Sequence, residues 1–214
     1  GVAPPPAVEE QPFFEYHLYR LPFPISLLPR TSQYVHFLEA KDIPIQKKYQ
    51  TIGETSFYTG RFPEPVPMPV GVFLEWENQK EYHLGIPLPA GRTRIFQKEE
   101  THTILLGEDR IPHIPEGEHI RVQTGNAFDI RAERLQTDFK RISSLEHEVS
   151  FEITLRNHRK EEIQVEVLEP MQGDWQIVES NFAPRKVSAQ WVKFVVPVKP
   201  EGKNTLRYRV RVKF

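Results

Sequence analysis

"VSFEITLRNHRKEEIQVEVLE", residues 149–169, is the stretch whose reading decides the fold class. Val149, Phe151, Ile153 and Leu155 alternate with Ser150, Glu152 and Thr154, the period of two that lets a strand bury one face and wet the other. "RNHRKEE" then supplies turn residues. "IQVEVLE" resumes the same period with Ile163, Val165 and Val167 inward, so the stretch is expected to form a β-hairpin.

Working outward, the terminal "TLRYRVRVKF", residues 205–214, sets Leu206, Tyr208, Val210, Val212 and Phe214 against Arg207, Arg209, Arg211 and Lys213. The basic stripe reads as a solvated strand face with acidic cross-strand partners rather than as an anion-binding surface. "AFDIRAERL", "GDWQIVES" and "QWVKFVVPV" add further strands, giving roughly six or seven between Asn126 and Phe214, a spacing that suits an immunoglobulin-like sandwich.

The first half reads as less regular β structure, with strand candidates "FEYHLYRL", "QYVHFLEA", "IPIQKKYQ", "GVFLEWEN", "RTRIFQKE" and "HIRVQTG". "PEPVPMPV", residues 63–70, alternates proline so densely that it is expected to be an extended connector or an edge segment. "IPLPAG", residues 86–91, bends the chain in the same way. Twenty prolines and eleven glycines leave no window for a long helix.

Composition narrows the classes. The 214 residues are 38% hydrophobic and 27% charged with a formal net charge of −1, which gives no field favouring nucleic acid or an anionic membrane. Cysteine is absent, so disulfides, thiolate metal sites and a cysteine nucleophile drop out. No apolar run approaches the roughly 18–20 residues a spanning helix needs, and "GVAPPPAVEEQP" lacks the basic start and apolar core of a signal peptide. The expected organisation is a flexible proline-rich tail at 1–12, an irregular β domain at 13–125 and an immunoglobulin-like β-sandwich at 126–214. The fold class is thus all-β with two sandwich-like domains, read as a segment of a longer protein.

Five passages carry a family resemblance. "NQKEYHLGIPLPAGRTRIFQ" (78–97), with an asparagine and then leucine-glycine before "PLPAG", resembles the bacterial domain-of-unknown-function family 4139. "LLGEDRIPHIPEGEHIRVQTGNAFDI" (105–130), "RLQTDFKRI" (134–142), "ITLRNHRKEEIQVEVLEPMQGDWQIVES" (153–180) and the early "EYHLYRLPFPISLLPRTSQYVHFLEAKDIPIQKKY" (15–49) are similar to it in the same order. The resemblance spans about Phe14 to Phe214. It implies a β-rich domain of exported or envelope proteins, with a relative among the mucoidy inhibitor A-like proteins, and therefore an extracytoplasmic location, periplasmic or secreted. It implies no reaction and no catalytic residues.

The densest chemistry lies in "GEDRIPHIPEGEHI", residues 107–120, where Glu108, Asp109, His113, Glu116, Glu118 and His119 are ligand types suited to a divalent metal. Their spacing is poor, because a zinc hydrolase's helical histidine pair is four apart and His113 and His119 are six apart across a Pro-Glu-Gly turn. The expected structure is a "GED" turn, an extended "RIPHIP" tied down by Arg110 and His113, and a turn feeding the next strand, with His119 exposed. Ser143, Ser144 and Ser150 lack a nucleophile elbow, and there is no phosphate-cradling glycine loop. Among the tryptophans Trp76, Trp175 and Trp191, the last is the best candidate for an exposed aromatic surface, since Val192, Phe194 and Val196 define the other face.

No catalytic, cofactor-binding or metal residue is assigned, and no cofactor. The expected role is a non-enzymatic structural or protein-interaction module of a bacterial exported or cell-envelope protein, with a protein or envelope partner, no nucleic acid and no membrane-spanning segment. The alternatives are a carbohydrate-binding module and a metal-dependent hydrolase.

Overall fold

A computed structural model describes residues 9–14, 16–21, 23–26 and 28–214. The strands in chain order are β1 (Glu9–Phe13), β2 (Tyr16–Arg20), β3 (Gln46–Ile52), β4 (Val66–Met68), β5 (Gly71–Glu77), β6 (Gly91–Lys98), β7 (Thr103–Ile111) and β8 (His119–Asn126). They continue as β9 (Ile130–Arg141), β10 (Glu146–Asn157), β11 (Ile163–Pro170), β12 (Asp174–Ser180), β13 (Arg185–Ser188), β14 (Trp191–Val198) and β15 (Lys203–Lys213). Two single-turn 3-10 segments, Thr55–Tyr58 and Lys80–Tyr82, are the helical exceptions among the described residues, so the protein is nearly all-β. Most of the tail expected at 1–12 lies outside the described residues, and its last four positions fall in β1.

The strands form a five-stranded sheet ordered β12-β15-β10-β9-β4, a six-stranded sheet ordered β13-β14-β11-β3-β5-β8, and two ribbons, β1-β2 and β6-β7. The pairings of β10 with β9 and β15 are antiparallel, while β11 pairs antiparallel with β14 and parallel with β3. The chain divides into two compact units that interleave in sequence. The larger takes Lys47–Leu74, Ile95–Gly107 and Gln123–Phe214; the smaller takes the described part of Gly1–Gln46 with Glu75–Arg94 and Glu108–Val122.

In the larger unit the alternation read from the sequence is realised at each inward position except Phe214, which is exposed. Val149, Phe151, Ile153 and Leu155 of β10 and Leu206, Tyr208, Val210 and Val212 of β15 are buried, as are Ile163, Val165 and Val167 of β11 and Val192, Phe194, Val196 and Val198 of β14. Side chains of both sheets meet in one core, where the Phe194 ring stacks on Tyr208 at 5.2 Å and Phe151 lies against the same tyrosine at 5.2 Å. Each such side chain contributes about 1.5–3 kcal/mol relative to exposure in water. "PEPVPMPV" supplies β4, a three-residue edge strand against β9 with Pro67 at its centre, a position where the missing amide hydrogen is tolerated.

Two of the strand expectations need correction. β10 and β11 are not a hairpin: β10 lies in the five-stranded sheet and β11 in the six-stranded one, so "RNHRKEE" carries the chain from one sheet to the other. The period of two is satisfied equally well, because both strands still turn their apolar faces to the same core. "QYVHFLEA" forms no strand, and Tyr34 there is fully exposed. Alternation over a few residues does not make a strand without a neighbour to accept its backbone hydrogen bonds.

In the smaller unit, Tyr19 donates its hydroxyl to the Pro87 carbonyl at 2.8 Å and sets its ring edge-on to Phe37 at 5.0 Å. Leu88 and Ile114 form an isolated two-residue bridge, and Ile114, Ile120 and Val122 are buried.

Candidate functional site

The segment 107–120 enters as strand and leaves as strand. Gly107 to Ile111 belong to β7, so the expected "GED" turn is instead paired backbone. Beyond it the two prolines interrupt regular pairing as expected, leaving the single Leu88–Ile114 bridge, and Glu116-Gly117 turns the chain into β8. Gly117 takes a φ of +80°, the left-handed conformation glycine adopts without strain.

The six candidate ligands do not converge. Glu108 pairs with Arg92 at 3.0 Å and Arg94 at 2.8 Å, and the Arg94 hydrogen bond holds its carboxyl below the usual range. Asp109 accepts from the Arg110 amide at 2.8 Å, and His113 Nδ1 accepts from the Ala90 amide at 3.3 Å. Glu116 meets Lys80 at 3.0 Å. His119 is exposed, as its place in the strand predicts, with Nε2 3.4 Å from the buried carboxylate of Glu75, which Arg121 also approaches at 3.2 Å. No group of three or more histidine, aspartate or glutamate side chains is placed to hold a metal ion among the described residues.

What organises this segment is Asn78, a buried side chain at the end of "GVFLEWEN". Its Nδ2 donates to the carbonyls of Ile86 at 2.8 Å and Pro115 at 2.9 Å, while its Oδ1 accepts from the Gly85 amide at 2.9 Å. Its own backbone exchanges bonds with Glu118 and Gly117. One amide thus satisfies backbone groups of two proline-rich bends that cannot pair as strands. Asn157 repeats the device at the end of β10, donating to Glu161 at 2.8 Å, Lys199 at 3.1 Å and Val198 at 3.3 Å, and accepting from the Arg159 amide at 2.9 Å.

The arginine stripe of β15 finds the acidic neighbours expected of it. Arg207 meets Glu152 at 2.7 Å, Arg209 meets Glu179 at 2.6 Å, and Arg211 meets Glu148 at 2.8 Å. A hollow of 360 Å³ beside Asn181 on this surface is lined by Glu152, Glu179, Arg207 and Arg209, charges already paired with one another. Of the tryptophans, Trp76 is half-buried, Trp175 donates to the Ala189 carbonyl at 2.6 Å beneath the Lys186 ammonium, and Trp191 is half-buried on the outward side of β14.

The strongest electrostatic feature was not singled out from the sequence. Arg134 of β9 and Glu169 of β11 form an ion pair with neither side chain exposed to solvent. The guanidinium is 4.8 Å from the ring centres of both Phe57 and Phe151, and Tyr58 donates to Glu169 at 2.7 Å and lies 3.1 Å from the Tyr208 hydroxyl. Burial is the largest single influence and opposes the guanidinium's charge, but the Glu169 charge and hydrogen bond together with the Tyr208 and Tyr58 hydroxyls outweigh it, so Arg134 holds its proton more tightly than a free arginine. Burial, then the Glu169 charge, push both tyrosine hydroxyls far above their ordinary range. The signal was present as phase: the inward positions of β9 run Ile130, Ala132, Arg134, Gln136, and those of β11 run Ile163, Val165, Val167, Glu169. Opposite charges at inward positions of two strands mark a buried pair.

No protein-family model matches the chain, and no curated protein matches it.

Proposed function

We propose that the chain is a non-enzymatic structural or protein-interaction module of a bacterial exported or cell-envelope protein, whose residues 126–214 form the body of an immunoglobulin-like sandwich. The observation that carries this reading is how the reactive side chains are used: the ligand types of 107–120 go to separate partners, and the buried polar groups tie backbone or bridge strands. A catalytic centre instead needs groups converging on one point. The extracytoplasmic location rests on the resemblance of the five sequence passages. A partner strand would add to a sheet edge such as β13, which is exposed along its length and lies at the end of its sheet.

The test is a screen of ester, phosphoester, peptide and glycoside hydrolysis with and without divalent metals, run beside glycan retention. No turnover is expected. Turnover abolished by His119→Ala or His113→Ala would overturn the reading in favour of a hydrolase. Glycan retention lost in Trp191→Ala, with the fold intact, would replace it with a carbohydrate-binding module.

A further inference from the structure

The connector between β3 and β4 crosses from the six-stranded sheet to the five-stranded one, and it covers the Arg134–Glu169 pair. Gly53 lies so close that a Cβ there would overlap both the Glu169 carboxylate and the Arg134 guanidinium. Phe57 caps one face of the guanidinium, and Tyr58 hydrogen-bonds the carboxylate. At the next inward position of β9, Gln136 donates to the Phe57 and Gly60 carbonyls at 3.0 and 2.8 Å and accepts from the Phe62 amide at 2.9 Å. Two guanidinium nitrogens, Nε and Nη1, have no hydrogen-bond partner among the described residues.

We propose that the Arg134–Glu169 pair is the latch of a strap formed by residues 53–62: while the two charges neutralise each other the strap stays shut, and loss of either charge opens the strap before the sheets.

A single charge left in this interior must regain water or a counter-charge, because burying it unpaired is far more costly than burying the pair. One side of the guanidinium is walled by Phe151, on a strand paired on both edges with β9 and β15, which cannot part without breaking the sheet. The other side is Phe57 and Gly53, on a connector with one short 3-10 turn. The strap is the less costly exit. Local opening of this kind is a normal mode of native proteins and is read by amide exchange.

The experiment is hydrogen exchange, resolved by peptide, on the whole chain and three variants. Glu169→Gln keeps the shape but strands the guanidinium, and exchange over 53–62 should rise at least about tenfold, equivalent to ~1.4 kcal/mol of opening free energy, while β10, β11 and β15 keep their protection. The double variant R134M/E169M removes both charges together with the acceptor of the Tyr58 hydroxyl, and should bring strap exchange back down to the level of Tyr58→Phe, well below that of Glu169→Gln. Tyr58→Phe, which leaves the ion pair whole and should fold without difficulty, should raise exchange in the same residues by roughly two- to fivefold. Faster exchange spread evenly over β10 and β15, an unchanged strap in both Glu169→Gln and Tyr58→Phe, or a double variant as open as Glu169→Gln would each overturn the proposal.

Discussion

Asn78 and Asn157 show how much structure one amide can hold. Each sits where a strand runs into a bend that prolines or a turn keep from pairing, and each donates to carbonyls on two segments while accepting one amide hydrogen. Replacing Asn157 with alanine orphans those groups and should lower unfolding free energy by about 2–4 kcal/mol in urea titration. Asn157→Asp, nearly identical in shape, should cost more at neutral pH, since a carboxylate oxygen would face carbonyl oxygens where Nδ2 now donates. An aspartate variant as stable as wild type would mean that the acceptor side of the amide carries the position. The same reading applies to Asn78, whose place before "PLPAG" was visible in the sequence while its role was not. Carbonyl partners on two separate bends, Ile86 and Pro115, are a tertiary fact.

Among the elements, strand faces were legible and strand partners were not. The inward phases of β10, β11, β14 and β15 follow from side-chain alternation alone, because burial on one face is a local property of the strand. Which sheet a strand joins depends on the path of the connection. "RNHRKEE" suits a hairpin turn and a crossing between sheets equally, and the Asn157 tie to Lys199 and Glu161 belongs to the crossing. β13 escaped notice because "RKVS" is exposed at every position and so has no phase to read. The arginine stripe was legible because opposite charges on neighbouring outward positions need only the pairing of β15 with β10 and β12. Its energetics follow the pH dependence of Glu148, whose carboxyl is held below its ordinary range by the Arg211 hydrogen bond. A carboxyl lowered on folding contributes stability that is present above its unfolded value, near 4.3, and is lost as pH falls through the lower folded value. Glu148→Gln should therefore lower Tm by on the order of 1–3 °C at pH 7 in low salt, with the difference from wild type fading below about pH 4 and in about 1 M salt. A difference that persists in acid would assign the effect to packing.

For the larger unit as a whole, the buried tyrosines tie ionisation to the integrity of the core. Tyr58 and Tyr208 lie among side chains of both sheets, with hydroxyls directed at each other and, for Tyr58, at a carboxylate. Burial raises both, and the Glu169 charge raises them further. An acid whose folded value is raised keeps its proton in the native state, so below the unfolded value near 10 it costs nothing. Above that value the unfolded chain gains by ionising, and native stability falls by about 1.4 kcal/mol per pH unit for each such tyrosine. Two of them make the decline about twice as steep, enough to consume a typical domain's stability within a few pH units. In an alkaline titration followed by tyrosinate absorbance and circular dichroism, part of the signal from the seven tyrosines should appear only with the loss of β structure. The Tyr58→Phe/Tyr208→Phe double variant should lose that late component and hold its fold to higher pH. Full ionisation ahead of the structural transition would instead require water to reach both hydroxyls in the native state, which a core closed by Phe151, Phe194 and the strap does not allow.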